Sequence, residues 1–211
     1  MVPWWNRRSS VRPVRRTARG EATRARILRA AVDLMTVKGV AATTLDDVRA
    51  ASSTSKSQLY HHYPDKDALV QDVIEFQAEE VLTTQAEQLR RLNSIRGLER
   101  WRDAIVQRSA LRNGAYGCRL GSLASELSDQ NERARSALAG HFETWQGLIT
   151  DGLRRMRDAG KLRPEADPER LAIGLMGALQ GGYLLAQTEH DVKPMRIAVD
   201  MAIDHIRGFQ P

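Results

Sequence analysis

Cysteine is almost absent from this chain of 211 residues, since Cys118 is the only one. A single cysteine excludes an internal disulfide framework and any zinc site built from several cysteines. Long apolar runs are missing too, and none approaches the roughly 18 residues of a membrane-spanning helix. Arg7 and Arg8 form a twin-arginine pair, but no apolar segment follows them as an export signal would require. We therefore expect a cytoplasmic protein without a membrane segment.

Proline does not occur between Pro64 and Pro164, and no segment alternates apolar and polar residues as a half-buried strand does. Apolar residues instead recur every three or four positions, most clearly between residues 132 and 159. Glycines favour breaks between helices, and we predict such breaks at Gly97 and in the cluster from Asn113 to Gly117. The pattern predicts an all-α protein of about nine helices.

Positive charge is concentrated at the front of the chain. Residues 1–66 contain thirteen Lys or Arg against five Asp or Glu, whereas residues 67–211 contain nineteen against twenty-one. This asymmetry indicates that the front part binds a polyanion, although a solvated basic tail without a partner has the same composition. Residues 1–19 carry six arginines and no helical period, which predicts a disordered basic arm before a first helix that starts at Glu21. The arm either enters a minor groove or has no role.

The stretch from Thr43 to Lys66, TTLDDVRAASSTSKSQLYHHYPDK, predicts two short helices joined by a tight turn. Ser55 and Gln58 have the spacing of a capping box, which satisfies free N–H groups at a helix start, and the same spacing recurs before the first short helix. The second helix would direct Leu59 and Tyr63 inwards. Its other face would expose a polar and cationic set suited to an anion: Ser55, Lys56, Ser57, Gln58, Tyr60, His61 and His62.

Several side chains beyond this stretch are candidates for lining a pocket that binds a small organic ligand. They are Trp101, Tyr116, Phe142, Trp145, Met176, Gln180 and Tyr183. Ordinary core packing is the alternative for each of them. Cys118 is a further candidate, because Arg119 beside it would favour the thiolate that an oxidant or thiol-reactive ligand attacks, and inert packing is again the alternative.

Three runs of residues resemble the TetR family of helix-turn-helix transcriptional regulators: VKGVAATTL, TLDDV and SKSQLYHHYPDKDALV. The stretch GCRLGSLASEL, from Gly117 to Leu127, is similar to one branch of that family. The resemblance implies a homodimer formed through the last two helices of each subunit, with no cofactor. Such a dimer would bind a near-palindromic double-stranded DNA operator, most often as a repressor that a small organic effector releases.

The resemblance also assigns roles to individual residues. Positions matching base contacts are Lys56, Ser57 and Tyr60, and positions matching phosphate contacts are Thr44, Gln58, His62 and Lys66. It implies that residues 20–66 form the DNA-binding domain and residues 67–211 the effector-binding and dimerisation domain.

Two departures from the family pattern lie in this region. Ser53 and Thr54 stand where glycine and valine are usual, and serine tolerates a left-handed backbone less well than glycine does. Arg49 replaces an alanine that faces the recognition helix, so we expect its side chain to extend outwards, towards a phosphate.

Catalytic motifs are not found. None of the five histidines has a metal-binding spacing such as HExxH, and the sequence contains no phosphate loop, dinucleotide glycine pattern or nucleophile elbow. We therefore expect neither an enzyme nor a metal site. A non-specific architectural protein that coats DNA is the other alternative, and it would show little preference for any DNA sequence.

Overall fold

Within residues 18–211, the part of the chain that the computed structural model describes, nine α-helices occur, in agreement with the sequence pattern. They are α1 (Ala18–Lys38), α2 (Leu45–Ala51), α3 (Lys56–His62), α4 (Lys66–Arg90), α5 (Ile95–Ala110), α6 (Arg119–Leu127), α7 (Glu132–Asp158), α8 (Pro168–Glu189) and α9 (Lys193–Arg207). None of these nine is both long enough and apolar enough to cross a bilayer.

The first three helices pack around a small apolar centre. Ile27 of α1, Val48 of α2 and Leu59 of α3 are each no more than 1% exposed. Helices of seven residues, the length of α2 and α3, are too short to be stable alone. Burial of these side chains, at roughly 1.5–3 kcal/mol each, therefore holds both short helices in place.

The helix α1 begins at Ala18 rather than at the predicted Glu21, so residues 18 and 19 of the predicted arm are helical. Glu21 lies in the first turn, where a negative charge interacts favourably with the helix dipole. The periodicity of apolar residues does not show this earlier start, because the first turn of α1 contains no large apolar side chain. The rest of the predicted arm, residues 1–17, lies outside the described residues.

The helix α4 belongs to both halves of the molecule. Asp65 caps it by accepting a hydrogen bond from the Ala68 amide at 2.7 Å, and the helix packs against α1 near its start and against α7 further on. Leu69 and Ile74, both fully buried, anchor it. The predicted domain boundary at residues 66 and 67 thus falls in the first turn of a shared helix, and the division into two domains stays a prediction.

The remaining helices bury two tryptophans, Trp101 at 0% and Trp145 at 1% exposure. The helix α8 packs against α7 and α9, and α9 also packs against α5. A Cβ atom on Gly182 would lie 2.9 Å from the Cα of Met195, so this glycine permits the close approach of α8 and α9.

The glycine breaks are confirmed at one predicted position and wrong at the other. Asn113, Gly114, Tyr116 and Gly117 all have positive φ angles, and they separate α5 from α6. Gly97 instead lies in the first turn of α5. Its amide donates to the Ser94 hydroxyl at 3.2 Å, so serine capping starts the helix before the glycine is reached.

Ser53, in the turn between α2 and α3, has a φ of 52°. This is the left-handed region, which costs a residue with a Cβ atom about 1–2 kcal/mol and glycine much less. The turn is also held by a hydrogen bond of 2.9 Å between the buried hydroxyls of Ser52 and Thr54. The backbone of Ser53 is therefore strained, although the turn around it is well hydrogen-bonded.

We predict that Ser53→Gly raises the free energy of unfolding by about 0.5–1 kcal/mol, because relief of backbone strain exceeds the added entropy of the unfolded glycine. Urea denaturation at a fixed protein concentration measures the change. Ser128→Gly is the control, since Ser128 has a φ of −62° and glycine should there reduce stability. Equal effects of both substitutions would contradict the assignment of strain to Ser53.

Candidate functional site

The outer face of α3 is a polar surface supported by an apolar inner face. Leu59 and Tyr63 are 1% and 2% exposed, as predicted. The polar residues at positions 55–58, 60 and 61 are exposed, and His62 is half-buried. The Nζ atom of Lys56 lies over the ring of Tyr60, 5.9 Å from its centroid. A cation and an aromatic hydroxyl are thus presented together on one side of the helix.

Two capping boxes fix the starts of α2 and α3. The Ser55 amide donates to Gln58 Oε1 at 2.9 Å, and the Gln58 amide donates to Ser55 Oγ at 3.1 Å. Thr44 and Asp47 form the equivalent pair at α2, and these hydrogen bonds from Thr44 hold the pKa of Asp47 below its usual value. Both boxes leave the helix N-terminal ends exposed, where backbone N–H groups favour anions.

Beneath α3, a cluster of polar groups joins α1, α3 and α4. The Tyr63 hydroxyl donates to Asp72 Oδ2 at 2.7 Å, and Arg24 forms an ion pair with the same carboxylate. Burial and the bond to Asp72 raise the pKa of Tyr63 well above its usual value, so the phenol remains a donor. This cluster sets the position of α3 relative to the two helices that flank it.

Two further predicted positions have partners within the protein. Lys66 is half-buried, and its Nζ donates to the Ala41 carbonyl at 3.3 Å. The Arg49 side chain extends outwards as expected and is 40% exposed, but its Nε donates to Asp46 at 3.1 Å. The expected phosphate contacts of both residues stay predictions.

Glu126, in the last turn of α6, connects this helix to the segment between α1 and α2. Its carboxylate accepts hydrogen bonds from the amides of Val40 at 2.8 Å and Ala41 at 2.6 Å. These amides follow Gly39, which ends α1 with a φ of 83°. The segment leading into α2 is therefore held by a carboxylate from the other half of the chain.

A cavity of about 500 Å³ lies at the other end of α6, between α4, α5, α7 and α8. Its walls are formed by Glu80, Val81, Thr84, Gln85, Arg108, Ser109, Leu111, Arg112, Ala115, Gly117, Cys118, Arg119, Trp145 and Tyr183. The volume falls within the range of about 300–1,000 Å³ that suits small organic ligands.

The structure brings together three of the eight candidate pocket residues, Cys118, Trp145 and Tyr183. Tyr116 lines a second, smaller cavity of about 180 Å³. The other four, which line neither cavity, are Trp101, Phe142, Met176 and Gln180.

The residues outside the cavities have packing partners that account for them. Trp101 is fully buried, and its Nε1 donates to Gln85 Oε1 at 3.0 Å. Phe142 stacks on Trp145 with a centroid distance of 6.3 Å. Met176 is 6% exposed within the core. These contacts favour core packing for the three residues, whereas Gln180 lies beside Cys118, behind the cavity wall.

Sequence reasoning missed the charged part of the cavity wall, namely Glu80, Arg108, Arg112 and Arg119. Arg108 and Arg112 are four residues apart and look like an ordinary solvated helix face in the sequence. Arg119 is identifiable in the sequence only as a neighbour of Cys118. Only the three-dimensional structure shows that these four residues lie together, because they are separated in the sequence.

Cys118 does not have the properties expected of a thiolate. It is 7% exposed, and burial raises the pKa of its thiol. Arg119, expected to favour the thiolate, is engaged instead by Glu80 at 2.5 Å and by Gln77 at 3.2 Å. The thiol caps α6, with its Sγ accepting the Gly121 amide at 3.4 Å. The expectation that Arg119 activates Cys118 is therefore wrong.

We predict that Glu126→Gln lowers the free energy of unfolding by roughly 1–3 kcal/mol, because the amide offers one acceptor where the carboxylate offers two charged ones. Chemical denaturation measures the loss. Glu143→Gln, at an exposed position on α7, is the matched control and should change stability little. Equal stabilities of the two variants would show that the Glu126 contact does not stabilise the fold.

Comparison with known proteins identifies both halves of the chain. Residues 27–73 match the family model described as bacterial regulatory proteins, tetR family. Residues 89–202, more than half of the chain, match the model described as tetracyclin repressor-like, C-terminal domain.

Relatives and a solved structure agree with the family models. The transcriptional regulator AcuR of Cereibacter sphaeroides is 28% identical over 176 residues, covering 80% of this chain and 78% of AcuR. The HTH-type transcriptional repressor DhaR of a Mycobacterium species is 24% identical over 160 residues, with coverages of 75% and 79%. A TetR transcriptional regulator from Chloroflexus aurantiacus has the same fold, with a TM-score of 0.79 at 24% identity over 90% of this chain and 96% of that one. The chain therefore belongs to the TetR family and is a ligand-responsive transcriptional regulator.

Proposed function

We propose that the protein is a cytoplasmic repressor that binds a near-palindromic operator as a homodimer and is released when a small organic effector occupies the cavity. The main support for DNA binding is the exposed polar face of α3. The opposite face of this helix is fixed to the core by the buried side chains of Leu59 and Tyr63. The excess of positive charge in residues 1–66 supports the same surface. The relative DhaR is named a repressor, which supports the sign of regulation.

The proposed contacts divide by chemistry. Lys56, Ser57 and Tyr60 lie on exposed positions of α3 and would reach base edges in the major groove. Thr44 and Gln58 lie at exposed helix starts, where phosphate oxygens are favoured. Two such helices in a symmetric dimer would read half-sites about 34–36 Å apart, so the operator would be near-palindromic.

Lys56→Ala should weaken operator binding by roughly 1–3 kcal/mol and relax the preference at one base pair, if the lysine bonds a guanine. The operator is first selected from a random DNA pool with the unaltered protein, and gel shifts with single-base variants then measure the change. A substitution of a phosphate contact would instead weaken binding to all sequences alike.

Lys161→Ala is the matched control for Lys56→Ala, because Lys161 is an exposed lysine between α7 and α8, remote from α3 in the sequence and outside the proposed dimer face. It should leave binding unchanged. Failure of the pool to yield any enriched sequence would contradict the proposed regulator and favour a non-specific DNA-coating protein.

The proposed dimer face lies on α8 and α9. Large apolar side chains are exposed there: Ile173 at 58%, Leu184 at 62%, Leu185 at 47%, Ile197 at 49% and Met201 at 68%. Gly174, Gly177 and Gly181 on α8 have open space where a Cβ atom would lie, so a second helix could approach them closely. Apolar surface of this kind, on two neighbouring helices, is typical of an interface between copies of a chain.

Met201→Glu should dissociate the dimer, because burying an unpaired carboxylate in an apolar interface is strongly unfavourable. Sedimentation velocity at a series of protein concentrations measures the shift towards monomer. Val37→Glu is the control, since Val37 is 69% exposed on α1, away from α8 and α9. A dimer unaffected by the Met201 substitution would contradict the proposed interface.

For release, the effector must bind more tightly to the DNA-free arrangement than to the DNA-bound one, since only that difference in affinity shifts the equilibrium. The helix α6 supports such coupling. Its N-cap, Cys118, lines the cavity, while Glu126 in its last turn bonds the segment before α2. A ligand that displaces α6 would therefore act on the position of α2 and α3.

A further inference from the structure

The charges around the 500 Å³ cavity are unbalanced in favour of cations. Its wall contains three arginines and one carboxylate, and that carboxylate, Glu80, is paired with Arg119. Arg108 and Arg112 form no ion pair with any residue between 18 and 211. Arg108 and Arg112 are exposed residues at the cavity wall, so two guanidinium groups without an ion pair are available to a ligand there.

The cavity wall also contains a hydrogen-bond donor that lacks an acceptor. Trp145 lines it and is 1% exposed, yet its Nε1–H finds no acceptor in the described part of the chain. An indole N–H can only donate. A ligand bearing an acceptor oxygen would satisfy this donor, which typically costs about 1–3 kcal/mol when it is left unsatisfied.

Two amide acceptors in the same region are already used. Gln85 Oε1 receives the Trp101 Nε1–H at 3.0 Å, and Gln77 Oε1 receives Arg119 at 3.2 Å. Tyr183 is a donor as well, because burial raises the pKa of its phenol well above the usual value. Arg108 and Tyr183 both line the cavity.

From this arrangement we propose that the effector is a small organic acid, bound as its carboxylate by Arg108 and Arg112 and carrying an apolar body into the cavity. The inference rests on the proposed function and specifies the ligand of the same cavity. Hydrogen bonds between a guanidinium group and a carboxylate are among the strongest that proteins form at neutral pH. Val81, Leu111 and the Trp145 ring provide apolar wall for the remainder of the molecule. A cation would have to displace the pairing of Arg119 with Glu80 and would face two like charges.

A panel of matched ligands tests the proposed chemistry on the full-length dimer. The probes are butanoate, octanoate, benzoate, phenylacetate and 3-phenylpropanoate, each compared with its primary amide and with the amine of the same skeleton. At pH 7 the acids are ionised, so each set differs chiefly in the charge of one group. Titration calorimetry and thermal denaturation measure binding. At least one acid should bind roughly 10-fold or more tightly than its amide, and no amine should bind.

Arginine variants locate the binding group. Arg108→Gln and Arg112→Gln should each weaken the bound acid by roughly 10- to 100-fold, the effect of losing a charge-assisted hydrogen bond. Arg100→Gln is the matched control, because Arg100 is an exposed arginine of α5, the helix that carries Arg108, and does not line the cavity. Trp145→Phe removes the indole donor and should weaken binding roughly 3- to 10-fold. Circular dichroism and operator binding check that this core variant is folded, and the arginine variants decide the question if it is not.

The outcomes separate the inference from the function on which it rests. Amides or amines that bind as tightly as the acids, acids that bind equally to the Arg108 and Arg112 variants, or a panel without any bound acid would each overturn the organic-acid effector. None of these results affects operator binding. Conversely, an enriched operator that an acid does not release would show that the acid occupies the cavity without regulating the protein, which contradicts the proposed effector role alone.

Discussion

The two hydrogen bonds from the Val40 and Ala41 amides to the Glu126 carboxylate tie the front helices to the rest of the molecule. Both amides lie just beyond α1, after Gly39 has turned the chain out of the helix with a φ of 83°. A charged acceptor stabilises such groups by about 1.5–3 kcal/mol. The orientation of α2 and α3 therefore depends on where α6 places one side chain.

The helix α6 is short enough to make this dependence direct. Nine residues at roughly 1.5 Å of rise per residue separate its capped start at the cavity from the Glu126 turn. The ligand cavity and the segment before α2 are thus connected through one short helix that both of them contact.

Much of the fold could be predicted from local sequence. The caps at Ser55 and Asp65 follow from a hydroxyl and a carboxylate side chain that bond amides within one turn of the chain. The predicted break at Gly97 is wrong because a helix tolerates a single glycine, and Ser94 caps α5 before Gly97 is reached. The start of α1 was missed because apolar periodicity is silent about a polar first turn.

The sequence by itself determined the all-α class, the helix-turn-helix and the strained backbone at Ser53, since each depends on residues a few positions apart. Only the tertiary structure decided the candidate ligand site. It brings Trp145 and Tyr183 together with Arg108 of α5 and Arg112 of the turn that follows α5, and it buries Cys118 so that its pKa rises instead of falling. Charge, burial and unsatisfied donors are properties of a local environment, and residues distant in the chain create that environment only when the helices pack.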